Sequence, residues 1–187
     1  MMKIPLTVLL LATIVGLFFV DRTVVRRVSA TSCFQQGGSP MYGEMRSGPN
    51  PTQSEGIGSR HPNESVMLFC PIPSDSFLPH FDIDLVEVHG WNARLCEPGS
   101  HWCAGFVVAY LCVSYENSAD GDCTPFLRSE VHGANYVIAF KNPNLWPWTM
   151  HPNGYPYVRV DLTEPSEGNL DTSTLRGITI TGRRGLH

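Results

Sequence analysis

The 187 residues carry 13 Lys and Arg against 17 Asp and Glu, a net charge of −4, with 42% hydrophobic residues, 17 Gly and 15 Pro. Four of the basic residues (Lys3, Arg22, Arg26, Arg27) fall in the first thirty positions beside one acid, Asp21, which leaves nine basic and sixteen acidic residues afterwards, a net −7. That balance lacks the Lys/Arg cluster a phosphate backbone requires and excludes nucleic acid as a partner, while a stretch of about 155 residues suffices for one domain with its own core.

In chain order, Lys3 is followed by the uncharged run "IPLTVLLLATIVGLFFV", Ile4 to Val20, and later by the small-residue triplet Val28-Ser29-Ala30. This is the layout of an export signal over residues 1–30, cut after Ala30. An uncleaved N-terminal anchor is the second reading, because the run reaches the lower length limit for crossing a bilayer and charged residues separate it from the cut. Either reading makes the rest secreted, periplasmic or surface-exposed, with membrane contact only through that segment if it is uncleaved. Residues 31–62, rich in Gly, Pro, Ser and Asn, read as a weakly structured lead-in with a short edge strand near Met41 to Met45. Asn63-Glu64-Ser65 is a formal glycosylation sequon, of consequence only in a host that glycosylates.

From residue 63 to 182 strand signals follow one another: "SVMLFCPI" (65–72), "FDIDLVEVHGW" (81–91), "GFVVAYLCVSY" (105–115), "ANYVIAF" (134–140), "YPYVRVDL" (155–162) and "LRGITITG" (175–182), with residues 183–187 as a tail. In the second, Phe81, Ile83 and Leu85 alternate with Asp82 and Asp84; in the last, Ile178 and Ile180 alternate with Thr179 and Thr181. No segment repeats apolar residues at helical spacing. The expected fold is therefore all-β: a single antiparallel β-sandwich, jelly-roll or immunoglobulin-like, stapled by disulfides.

All six cysteines (Cys33, Cys70, Cys96, Cys103, Cys112, Cys123) follow the export segment, and an even count in an oxidising compartment reads as a disulfide framework. Their gaps contain no short pair of the kind zinc needs. Six cysteines allow 15 pairings, so spacing alone leaves connectivity open. A local arrangement is chemically reasonable: Cys96 and Cys103 flank a Glu-Pro-Gly turn, Cys112 and Cys123 flank a loop ending in Asp120-Gly121, and Cys33 and Cys70 remain. His101, beside Cys103, then reads as a solvated loop residue.

With "VMLFCPIP", an acidic alternating strand, a cysteine-bearing strand, "YVRVDLTEP" and a closing "STLRGITITG", the chain resembles a group of small exported bacterial proteins of unknown function. The resemblance runs from about Cys33 to Gly182 and implies a single disulfide-containing β-sandwich, with no catalytic residues. This chain has "VRVDL" where such proteins tend to carry a cysteine, and it adds Cys96, Cys103 and Cys123.

Candidate functional residues are few. His80, Asp82 and Asp84, at i, i+2 and i+4 of a predicted strand, share one face and would converge on a cation. A polar strand face in water shows the same pattern, so no catalytic site, metal or cofactor is expected and a metal-dependent hydrolase is the least favoured reading. "ENSADGD" (116–122) has oxygens at alternating positions but lacks the spacing and terminal Glu of a calcium loop. The segment "NLWPWTMHPNGYPY" (144–157) presents Trp146, Trp148, Tyr155 and Tyr157 between three prolines, which suits recognition of a carbohydrate or a protein. Ranked above that for the tryptophans is burial as plugs of the open end of the sandwich. If the segment is extended, Trp146 and Trp148 point the same way and share one fate. The leading function is a non-enzymatic exported binding protein; a structural envelope or surface protein without a small ligand is the alternative.

Overall fold

A computed structural model describes residues 23–35, 44–46, 56–58, 65–75, 77–92, 106–115, 121–131, 133–142, 144–162 and 173–183. Two antiparallel sheets face each other. Sheet A contains β1 (Thr23–Ser29), β3 (Glu44–Arg46), β4 (Gly56–Gly58), β6 (Ile83–Asn92), β10 (Ala134–Lys141) and β12 (Thr174–Arg183). Sheet B contains β2 (Phe34–Gln35), β5 (Val66–Pro71), β7 (Val107–Ser114), β8 (Gly121–Cys123), β9 (Leu127–Arg128) and β11 (Tyr155–Leu162). The order in A is β10-β6-β12-β4-β3, with β1 also on β12; the order in B is β2-β5-β11-β7-β8, with β9 also on β7.

All six expected long strands are present, as β5, β6, β7, β10, β11 and β12. Each step between them crosses from one sheet to the other, the jelly-roll habit, whereas several steps in an immunoglobulin sandwich stay within a sheet. The alternating residues do what period two requires. In β11, Pro156, Val158, Val160 and Leu162 are buried while Tyr155, Tyr157, Arg159 and Asp161 turn outward. The opposing core includes Val86, Val88, Ile138, Phe140, Leu175, Ile178 and Ile180 from sheet A, and Leu68, Leu111, Val158 and Val160 from sheet B. Each such aliphatic side chain taken from water contributes about 1.5–3 kcal/mol.

The strands reach further toward the N-terminus than the expected start at residue 63. β1 lies within the segment read as an export signal, and β2, β3 and β4 lie within the lead-in, where the edge strand near Met41 to Met45 is found as Glu44–Arg46. β1 pairs with β12 over seven positions, from Thr23 with Arg183 to Ser29 with Gly177. β4 takes the next stretch of that same side of β12, at Thr174 and Leu175.

Among the described residues two disulfides are present, Cys33–Cys70, which ties the turn after β1 to β5, and Cys112–Cys123, which ties β7 to β8. Both agree with the local arrangement. Cys96, Cys103, His101 and most of "ENSADGD" lie outside the described residues.

Two local readings are corrected. The alternation expected at Phe81, Ile83 and Leu85 slips, because β6 is out of step with β12 between Ile83 and Leu85; Ile83, Val86 and Val88 are buried instead. The aromatic segment is not extended either: Trp146–Met150 is a short helix, α1, with Pro147 in its first turn, where its fixed φ and missing N–H fit a helix start. Two residues apart on a helix is more than half a turn, so the tryptophans part company. Trp148 is fully buried and its indole Nε1 donates to the Cys112 carbonyl at 2.8 Å, whereas Trp146 is 36% exposed.

Candidate functional site

Period two in sheet B places one side chain in two on the surface away from the core, and the register aligns these into a row. Phe34 on β2 stands opposite Phe69 on β5, Phe69 opposite Arg159 on β11, and Arg159 opposite Tyr110 on β7. Phe126, just before β9, packs on Tyr110 with ring centroids 6.1 Å apart. At the other end Phe34 and Phe69 are stacked at 6.0 Å, and Phe69 and Tyr157 at 5.4 Å. The row begins and ends in water, with Phe34 57% and Phe126 55% exposed.

Charge is built into this aromatic surface in paired form. The Arg159 guanidinium lies 4.9 Å above the Tyr110 ring and forks onto Asp161, Nε to Oδ1 at 2.9 Å and Nη2 to Oδ2 at 2.7 Å. The hydrogen bond to Asp161 pushes the Arg159 pKa above its ordinary value, and partial burial raises that of the Tyr157 hydroxyl, so the first stays cationic and the second stays a neutral donor. Arg128, at the Phe126 end, lies 5.5 Å from the Phe106 ring centre and pairs with Glu130 at 2.9 Å. Beside them opens a recess of about 510 Å³ lined by Phe126, Arg128, Glu130 and Val137.

Of the residues expected at a site, Tyr157 belongs to this surface and Tyr155 lies on the same outward face of β11. Trp148 is a core residue, and Trp146 sits on α1. His80, Asp82 and Asp84 do not converge. The chain forms a 3-10 turn at His80–Asp82 rather than a strand, which removes the shared face. His80 is buried: its Nε2 lies 3.0 Å from the His151 carbonyl, which can only accept, so Nε2 carries the proton and Nδ1 faces the Ser74 hydroxyl at 3.2 Å. Asp84 is on β6 with Arg183 at 3.3 Å. Among the described residues no three His, Cys, Asp or Glu are placed to hold a metal ion.

A polar cluster at the edge of sheet B was not expected from sequence. Tyr115 donates its hydroxyl proton to Asp122 Oδ2, and His151 Nε2 lies 3.0 Å from that hydroxyl and 3.2 Å from the same carboxylate oxygen. The hydrogen bond to Asp122 pushes the Tyr115 pKa up to about 12. Through these contacts the cluster fastens the turn after α1 to the paired strands β7 and β8.

The aromatic row was only partly visible beforehand. Outward Tyr157, Arg159 and Asp161 follow from alternation in "YPYVRVDL", but Phe34, Phe69, Tyr110 and Phe126 join them only through pairings between distant segments.

No family model matches the chain, and no curated protein matches it. Among solved structures it is similar to the CBM36-1 domain of a multidomain xylanase from the hindgut metagenome of Trinervitermes trinervoides, with 13% identity over 86% of this chain and 98% of that one and a TM-score of 0.40.

Proposed function

We propose that this is an exported, non-catalytic binding protein that holds a polysaccharide against the outer face of sheet B. The observation that supports this reading is the row Phe34, Phe69, Arg159, Tyr110 and Phe126, which runs unbroken over the neighbouring strands of the sheet. At about 4.8 Å per strand its length approaches 20 Å, which suits a chain of sugar units better than a single small molecule. Aromatic surface accepts the C–H faces of pyranose rings with little loss of side-chain freedom. The Arg159–Asp161 and Arg128–Glu130 pairs offer donors and acceptors side by side, the pattern that neighbouring sugar hydroxyls satisfy. The two disulfides fit residence in an oxidising compartment, as export requires.

Binding to a panel of insoluble polysaccharides, followed by calorimetry with soluble fragments of any that retain the protein, tests the proposal. A Phe69→Ala, Tyr157→Ala double variant that folds but loses at least tenfold in affinity supports it. Retention of no polysaccharide by the native protein, or equal retention of the variant, removes it.

A further inference from the structure

The position of β1 bears on where the working protein begins. The small-residue triplets that suit signal-peptide cleavage after the apolar run, Val28-Ser29-Ala30 and Ala30-Thr31-Ser32, are both part of the folded sandwich. Seven residues before the expected cut pair with β12, Val28 and Ala30 are 8% and 2% exposed in the core, and Arg26 Nη2 grips both carboxylate oxygens of Asp75 at 2.7 and 2.6 Å. Beyond the cut, the Cys33 amide donates to the Ala30 carbonyl, which fixes the turn that carries the Cys33–Cys70 disulfide. Removing residues 1–30 would strip β12 of its partner from Gly177 to Arg183 and leave an open strand edge.

We infer that Thr23–Ser29 stays in the working protein and that the run Ile4–Val20 stays with it as a membrane anchor, making a lipid bilayer the standing partner of this domain. No alternative cut fits between the run and β1. The residues from Leu17 to Arg22 read "LFFVDR" and contain no small side chain, and a cut within the run would leave an apolar stub on an exported protein. The run has seventeen residues without a charge, enough to cross the hydrocarbon layer as a helix. Only Asp21 and Arg22 separate it from β1 in the sequence, which leaves no long linker between anchor and sandwich. The strand that follows the run, β1, belongs to sheet A. The inference does not depend on what the outer face of sheet B binds.

The full-length chain, expressed in a bacterial host with an oxidising periplasm, should sediment with membranes, resist extraction by alkaline carbonate, dissolve in detergent and show an intact mass that includes the run Ile4–Val20. A mature chain beginning at Thr31 in any fraction overturns the inference. So does a soluble chain beginning anywhere from residue 5 to residue 23, which would keep β1 without the anchor.

Discussion

A row drawn across the outside of sheet A reads Arg27, Thr179, Glu87, Ala139; the equivalent row across sheet B reads Phe34, Phe69, Arg159, Tyr110. Both rows lie on strands whose other faces fill one core, so the packing demand is the same for each. Outward positions answer to no such demand, and charged or small residues serve sheet A. Concentration of aromatic surface on sheet B alone is thus not a by-product of building a sandwich. It costs solubility and exposes an apolar patch, which a binding role explains.

The comparison can be broken from its strongest point downward. Trp148→Ala should lose about 3–5 kcal/mol in urea unfolding, since removal of a fully buried indole leaves a cavity and takes a hydrogen bond from the Cys112 carbonyl; a small cost would mean that the distinction between inward and outward aromatics is misplaced. Asn92→Ala comes next. Its amide donates to the Val131 carbonyl at 2.6 Å and its oxygen accepts from Ser173 at 2.8 Å, so loss of about 1–3 kcal/mol is expected from the stranded groups, without change in ligand retention. Phe34→Ala and Phe126→Ala should stay within about 0.5 kcal/mol of the native protein while weakening polysaccharide retention. Val25→Ala, equally exposed but on sheet A, should alter neither property. Loss of retention from Val25→Ala equal to that from the two phenylalanine variants would erase the difference between the faces.

The smallest expected effect is at the edge of sheet B, where the Tyr115 pKa rises from 10.0 to about 12 through Asp122. A proton held more tightly when folded stabilises the fold below the ordinary tyrosine pKa, and this contribution fades as pH rises through the folded value. The stability gap between the native protein and Tyr115→Phe should accordingly shrink from pH 10 to pH 12. A gap that widens over that range would show that Asp122 does not hold the phenol in its neutral form.

Legibility followed strand length. β5, β7, β11 and β12 announce themselves because six or more residues show alternation or a buried apolar run, whereas β2 and β9 are two residues long and owe their existence to partners far away in the chain. β1 was hidden for another reason: an edge strand with one buried side chain, Val28, and two arginines looks like the charged flank of a signal. α1 was misread although Pro147 at its start is a helix signal, because three prolines in fourteen residues suggested extended chain. At the candidate site, the residues legible in advance were those of β11, where neighbours in space are also neighbours in sequence. The remainder of the row depends on register, which no single segment contains.

β12 occupies the middle of sheet A, with β6 along one side and β4 and β1 sharing the other. During synthesis β1 cannot find its partner until residues 174–183 have been made, and β6, which meets β10 earlier, lacks its other neighbour until then, so the earliest strand waits for the latest. Such distant pairing folds slowly. Under the export proposed above, this delay is useful: sheet A would not close ahead of transport, and closure would fall in the compartment in which the cysteines can oxidise.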